Sequence, residues 1–307
     1  HKRAIIAALF LSLLVSTVVF AYNSEDIRRD FLILSAGDLE YYPQHDAALK
    51  RLSRRGDEAV AVALDYIDRK SPRKKNALRR IVERVGEDAV ELLTYVLTRP
   101  DEDNAAYAAY LLGKIGSRKA AVPLMLAAKS SGEKLRGASL GALGSCGDSA
   151  AVPILIAALS DTLASNRRRA AHSLGQLGDP RAVEPLIPLL GDSSAFVRYG
   201  ASYALAKIEA EETSSKLRER LSADSLSEME SYHIIETLGL IGDETSLGIL
   251  MELLEDPLYL NRGFACQALG YYRGDYTVAN ALKRSLGDAS GVVRMMADRG
   301  LESIRNE

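Results

Sequence analysis

Side chains that do chemistry in enzymes are few in this sequence and poorly spaced for it. Its four histidines are His1, His45, His172 and His233, and no two have the spacing of a zinc motif. The run Asp101-Glu102-Asp103-Asn104 gathers oxygen donors of the kind that hold a cation. It follows Pro100 at a turn between helical patterns, so it reads as a solvated helix cap. There is no glycine-rich phosphate loop, no Gly-x-Ser-x-Gly turn and no calcium-loop pattern. These residues call for no catalytic group, no metal and no cofactor.

What the sequence does space regularly is Leu-Gly-x-x-Gly. It occurs at Leu112 to Gly116, Leu143 to Gly147, Leu174 to Gly178 and Leu238 to Gly242. Worn copies keep the apolar anchor at Leu52, Val82, Leu205, Leu269 and Leu301. Successive anchors are 30, 30, 31, 31, 31, 33, 31 and 32 residues apart. A fixed period of that size means stacked supersecondary units, each burying its apolar face only against its neighbours.

One unit shows why each holds two helices. Ala170, Leu174 and Leu177 are spaced i, i+4 and i+7, which places them on one helix face. Gly178 then supplies the left-handed residue past the helix end. Asp179-Pro180 is an N-cap and first-turn pair, predicting a second helix through Leu190. No sustained period-2 alternation appears, so almost no strand is expected.

The turn Leu-Gly-x-x-Gly-Asp and the run Ala182-Val183-Glu184-Pro185-Leu186 resemble the HEAT repeat, most of all its short HEAT-like type in phycobilin lyases. A further mark is an Asp six residues before an Arg: Asp161/Arg167, Asp192/Arg198, Asp256/Arg262 and Asp288/Arg294. The resemblance implies that these side chains form a ladder tying each inter-repeat loop to the next helix. It also implies an all-α, right-handed alpha-alpha superhelix of about eight helix pairs plus a terminal half repeat, covering residues 46–307. Bilin-lyase activity is one thing such a resemblance brings with it, but no activity-bearing residue of those enzymes can be matched here.

Residues 22–45 read as a capping segment, with Ser24 starting a short helix before Gly37 and Pro43 break the pattern. Ahead of them, Lys2 and Arg3 precede an apolar run from Ala4 to Phe20 with a small-residue exit at Ala21. Residues 1–21 are therefore expected to be a secretory signal, the alternative being a membrane anchor. Either places the repeats in the periplasm or outside the cell. Cys146 and Cys266 fall on core-facing or near-core helix positions about four repeats apart, on the order of 30–40 Å at ~8–10 Å per packed helix, beyond disulfide reach. Export is then compatible with these thiols only if both are buried.

Two surfaces stand out. Between Lys50 and Arg84 lie twelve basic residues, among them Arg69, Lys70, Arg73, Lys74, Lys75, Arg79 and Arg80, against five acidic ones. Between Glu209 and Asp256 thirteen acidic residues face three basic ones. The readings are an ordinary solvated surface, a docking site for an anionic partner (acidic protein, membrane lipid or envelope polymer), or head-to-tail self-association into a homo-oligomer. Nucleic acid suits the charge but not the exported compartment. The second surface comes from the residue two before each anchor, which points away from the first-helix core. It reads Tyr110, Gly141, His172, Tyr203 and Glu236, with Tyr199 one turn earlier. Exposed aromatics of this kind mark either a contact face or rings covering helix joints. The expectation is an exported, non-enzymatic scaffold or adaptor that binds a protein partner, with a self-assembling envelope component as the alternative.

Overall fold

The computed structural model describes residues 24–66, 71–130, 132–208, 212–223 and 226–305. The expected leader at 1–21 lies outside them, as do Arg69 and Lys70. No described helix is long and apolar enough to cross a membrane. Among the described residues there is no strand, and the fold is an all-α helical repeat.

The chain divides into two compact units, His1–Pro123 and Leu124–Glu307. The first contains α1 (24–35), α2 (Tyr42–Ser53), α3 (Asp57–Asp65), α4 (Pro72–Val85), α5 (Val90–Leu97) and α6 (Glu102–Ile115), and α7 (Ala121–Ala127) spans the division. The second contains α8 (Glu133–Leu143), α9 (Val152–Ala158), α10 (Ala164–Leu177), α11 (Val183–Leu186), α12 (Ala195–Lys207) and α13 (Thr213–Leu221). It continues with α14 (Glu228–Ile241), α15 (Glu244–Leu253), α16 (Tyr259–Leu269), α17 (Tyr276–Ser285) and α18 (Gly291–Arg305). From α2 to α17 the helices alternate as first and second members of eight pairs, and α18 has no second helix among the described residues.

The period has a direct physical cause. The anchors Leu52, Val82, Leu112, Leu143, Leu174, Leu205, Leu238, Leu269 and Leu301 are all buried. Within each unit, successive first helices pack on one another: α2 on α4 and α4 on α6, then α8, α10, α12, α14, α16 and α18 in series. The last glycine of the signature ends its helix in the left-handed region, as at Gly178 with φ 66°. Where the signature degenerates, α12 ends on Ile208 in an extended conformation instead.

Its first glycine does a different job. A methyl group on Gly175 would lie 2.7 Å from the Ala204 Cα on α12, and one on Gly144 2.7 Å from the Ser173 Cα on α10. These helices approach closer than a side chain allows, which nothing in the spacing predicts.

The second helix after Asp179 departs from expectation. It is a 3-10 turn over Pro180–Ala182, a four-residue α11, and a second 3-10 segment over Ile187–Gly191. Pro188 has no N–H to give the Glu184 carbonyl, so the α-helical pattern cannot continue through it.

The ladder is also wired differently from the simple pairing of Asp with the Arg six residues on. Each Arg gives Nη1 to the backbone carbonyl of that Asp: Arg167 to Asp161 at 2.9 Å, Arg198 to Asp192 at 2.8 Å, Arg262 to Asp256 at 2.8 Å. The carboxylate it grips belongs to the following repeat. Arg136 holds Asp161, Arg167 holds Asp192 and Arg262 holds Asp288. The equivalent residue after Arg198 is Asp224, outside the described residues, and Ser231 replaces the arginine of the next repeat.

Candidate functional site

In the first unit part of the basic run is paired with carboxylates. Arg51 donates two 2.7 Å hydrogen bonds to buried Asp30. Arg79 reaches both Glu83 oxygens, at 2.6 and 2.8 Å, and Arg80 lies 3.6 Å from Asp46. The Arg73 guanidinium lies against Gly37, and the Lys74 backbone N–H is capped by Ser71 at 3.4 Å. Lys50, Arg54, Arg73 and Arg84 remain exposed.

The structure joins this run to the tyrosine stripe. Lys75 sits over the Tyr107 ring at 5.5 Å, Tyr107 stacks on Tyr110 at 5.8 Å, and Lys114 covers Tyr110 at 5.4 Å. The Tyr107 hydroxyl donates to the Lys75 carbonyl at 2.5 Å, fixing α6 to α4. Burial, then the neighbouring Tyr110, holds that hydroxyl well above the ordinary tyrosine pKa. The acidic run at 101–104 is a helix cap, as read from the sequence. The Asp101 carboxylate accepts the Asp103 and Asn104 N–H groups at 3.1 and 3.2 Å. No three His, Cys, Asp or Glu side chains among the described residues converge to hold a metal ion.

The second unit carries the larger aromatic surface. His172 on α10 stacks on Tyr203 of α12 at 6.0 Å, with Lys207 over the same tyrosine. Tyr199, one turn before Tyr203, meets His233 of α14 edge-on at 4.9 Å. Tyr232 packs against both His233 and Phe264 of α16, each at 4.9 Å. Tyr199, Tyr203 and Tyr271 stay about half exposed, at 51%, 48% and 48%. His233 is buried, with Nδ1 3.2 Å from Oε2 of Glu236, whose other oxygen accepts the Tyr232 hydroxyl at 3.2 Å. Burial, the Glu236 carboxylate and Tyr199, in that order, push the Tyr232 and Tyr271 hydroxyls above their ordinary range.

Of the expected site residues, His172, Tyr199 and Tyr203 therefore belong to one surface, which also takes in Glu236 of the same stripe, and Lys75, Arg79 and Tyr110 to another in the first unit. Sequence reading missed Tyr232, Phe264 and Tyr271, which stand at other offsets from the anchors. The signal it passed over is local: Tyr232, His233 and Glu236 are spaced to share a helix face.

A family model described as HEAT repeats matches residues 89–166 and 155–231. No curated protein matches the chain. Among solved structures, the chain is similar to YibA of Escherichia coli, at 18% identity over 89% of this chain and 98% of that one, with a TM-score of 0.50. It is similar to Kap121p at 14% identity, covering 84% of this chain and 34% of that one, with a TM-score of 0.53. A third likeness is to the CpcE–CpcF complex of phycocyanin lyase from Nostoc, at 23% identity over 70% of this chain and 94% of that one, with a TM-score of 0.42. With the family's repeats matched in its middle and the same alternation of paired helices on either side, the chain is a HEAT-like repeat protein.

Proposed function

We propose that this protein is a non-enzymatic scaffold, working outside the cytoplasm, that binds a protein partner through the aromatic face of its second unit. The observation that carries the reading is the run of exposed rings across neighbouring first helices: His172, Tyr199, Tyr203 and, just past α16, Tyr271. Half-exposed tyrosines lose unfavourable apolar contact with water when covered, and each keeps a hydroxyl for a partner's polar groups. HEAT-like repeats supply such surfaces by repetition rather than by one enclosed pocket. The lysine–tyrosine stack of α4 and α6 in the first unit is a second, cationic contact. Export rests on the apolar run within residues 1–21.

The test is crosslinking in intact cells followed by capture and mass spectrometry, comparing wild type with Tyr199→Ser/Tyr203→Ser. A stoichiometric partner present with wild type and lost with the double variant is the expected result. An unchanged partner set with a folded variant overturns the aromatic face as the docking surface. Recovery of this chain alone, with size growing with concentration, replaces the scaffold by a self-assembling component. Cell fractionation of the same sample tests the compartment.

A further inference from the structure

Resting on that docking reading, we propose that Glu236 and the rings of Tyr199, Tyr232 and Tyr271 form a socket for one cationic side chain, an arginine or a lysine, of the partner protein. Several carboxylates sheltered in this unit have an arginine as partner. Asp161, Asp192, Glu230 and Asp288, with side chains 9–14% exposed, each hold an arginine at 2.6–2.8 Å. Glu236 is sheltered to a similar degree, at 15%, yet among the described residues no lysine or arginine pairs with it.

Nδ1 of the buried His233 ring lies 3.2 Å from Oε2 of Glu236 without hydrogen-bond geometry, and Oε2 is buried there. An ionised carboxylate accepts at about four positions, and here a single tyrosine O–H fills one. What stays open to an incoming cation is the exposed part of this side chain, since Oε2 itself is buried against His233.

The rings around it suit such a cation. Tyr232 lies one helical turn before Glu236 and donates to it. Tyr271 lies against Gly239, three residues after Glu236 on the same helix face. A side chain on Gly239 would sit 2.9 Å from the Tyr271 ring, so glycine is what lets that ring lie against α14. Tyr199 closes the α12 side through its edge-on contact with His233. Ring faces attract guanidinium and ammonium groups, and the carboxylate anchors their N–H donors. The charge of the segment agrees, with thirteen acidic against three basic residues from Glu209 to Asp256.

The test is an NMR titration of the full chain carrying 13C-labelled tyrosine, using the acetylated peptide Gly-Gly-Arg-Gly-Gly amide and its citrulline counterpart. Citrulline keeps the shape of arginine and removes the charge. Saturable shifts of Tyr199, Tyr232 and Tyr271 with the arginine peptide, weakened at least about tenfold in Glu236→Gln and in the citrulline peptide, are expected. Tyr271→Ser, on an exposed ring, repeats the test should Glu236→Gln disturb folding. Equal response to both peptides, or unchanged affinity in both variants, overturns the socket. Tyr203→Ser lies outside it and should leave the peptide titration unchanged while weakening partner capture. Capture that depends on Tyr203, with a peptide response insensitive to Glu236, rejects the socket and leaves the docking face standing. A charge-selective peptide response lost in Glu236→Gln, with no partner captured, supports the socket and rejects the docking reading.

Discussion

Arg167 and Asp192, 25 residues apart, are joined by two parallel hydrogen bonds of 2.8 and 2.9 Å, while a third donor of the same guanidinium holds the Asp161 carbonyl 2.9 Å away. One arginine thus fastens the loop before its own helix and the loop that opens the next repeat. Asp192 also accepts the Ser194 N–H at 2.8 Å, so it shapes the turn it sits in. The flat fork of arginine suits this double duty, and lysine would lose one of the two carboxylate bonds.

Replacing Asp192 by Ala should lower stability by about 2–3 kcal/mol, the cost of leaving a sheltered guanidinium without its charged partner. Arg181 is exposed; it pairs with Asp179 two residues away and gives one 3.2 Å hydrogen bond to the Ser149 carbonyl, so its replacement by Ala should cost less than about 1 kcal/mol. Urea unfolding followed by circular dichroism separates the two. Equal effects would mean that the ladder is not what ties the repeats together.

Acid should undo the ladder. In Asp161 and Asp192 burial pushes the carboxyl pKa up, but the arginine and backbone hydrogen bonds outweigh it and leave the group below its ordinary value. In Asp288 the Arg262 hydrogen bond leads and the direction is the same. A carboxyl depressed in the folded state contributes stability above its unfolded pKa of about 3.9, and loses it as pH falls through the folded value. The urea midpoint should therefore drop on acidification below about pH 4, and Asp192→Asn should show a shallower drop. A midpoint that is flat down to pH 2 would contradict this.

The two glycines of one signature should respond to different substitutions. At Gly178, with φ 66° and nothing near a Cβ, the cost is backbone strain, so Asn should be milder than Ala and Val worst. At Gly175 the cost is space: Ala should already destabilise, and Val more, by about 1–3 kcal/mol. Thermal melts of these variants decide it. A Gly175→Val protein as stable as wild type would show that α10 and α12 can part without loss.

Cys146 and Cys266 should be silent to thiol reagents in the folded protein. Both are buried and unpaired, and burial pushes the Cys146 thiol up to about 11 and raises Cys266 in the same direction. A thiol so protonated offers almost no thiolate at pH 8. Reaction with Ellman's reagent should appear only with urea. Rapid labelling of the native chain would place one thiol on an accessible surface.

The anchors, the left-handed Gly178 and the alternation of helix pairs were legible because each repeat solves the same packing problem beside its neighbours, and local spacing suffices to state it. The buried thiols were legible for the same reason. The 3-10 segments flanking α11 were not, although Pro188 carried the signal in its missing N–H.

The sequence by itself thus determined a stack of paired helices and where each turn falls, since those follow from a period of about 31 residues and from glycine at the helix end. Only tertiary structure decided which carboxylate each arginine grips, why Gly175 must lack a side chain, and that Glu236 lies among tyrosines with no lysine or arginine paired to it among the described residues. Those relations join residues of different helices, up to some 35 positions apart. They depend on how closely the helices pack and at what rotation, which spacing along the chain does not contain.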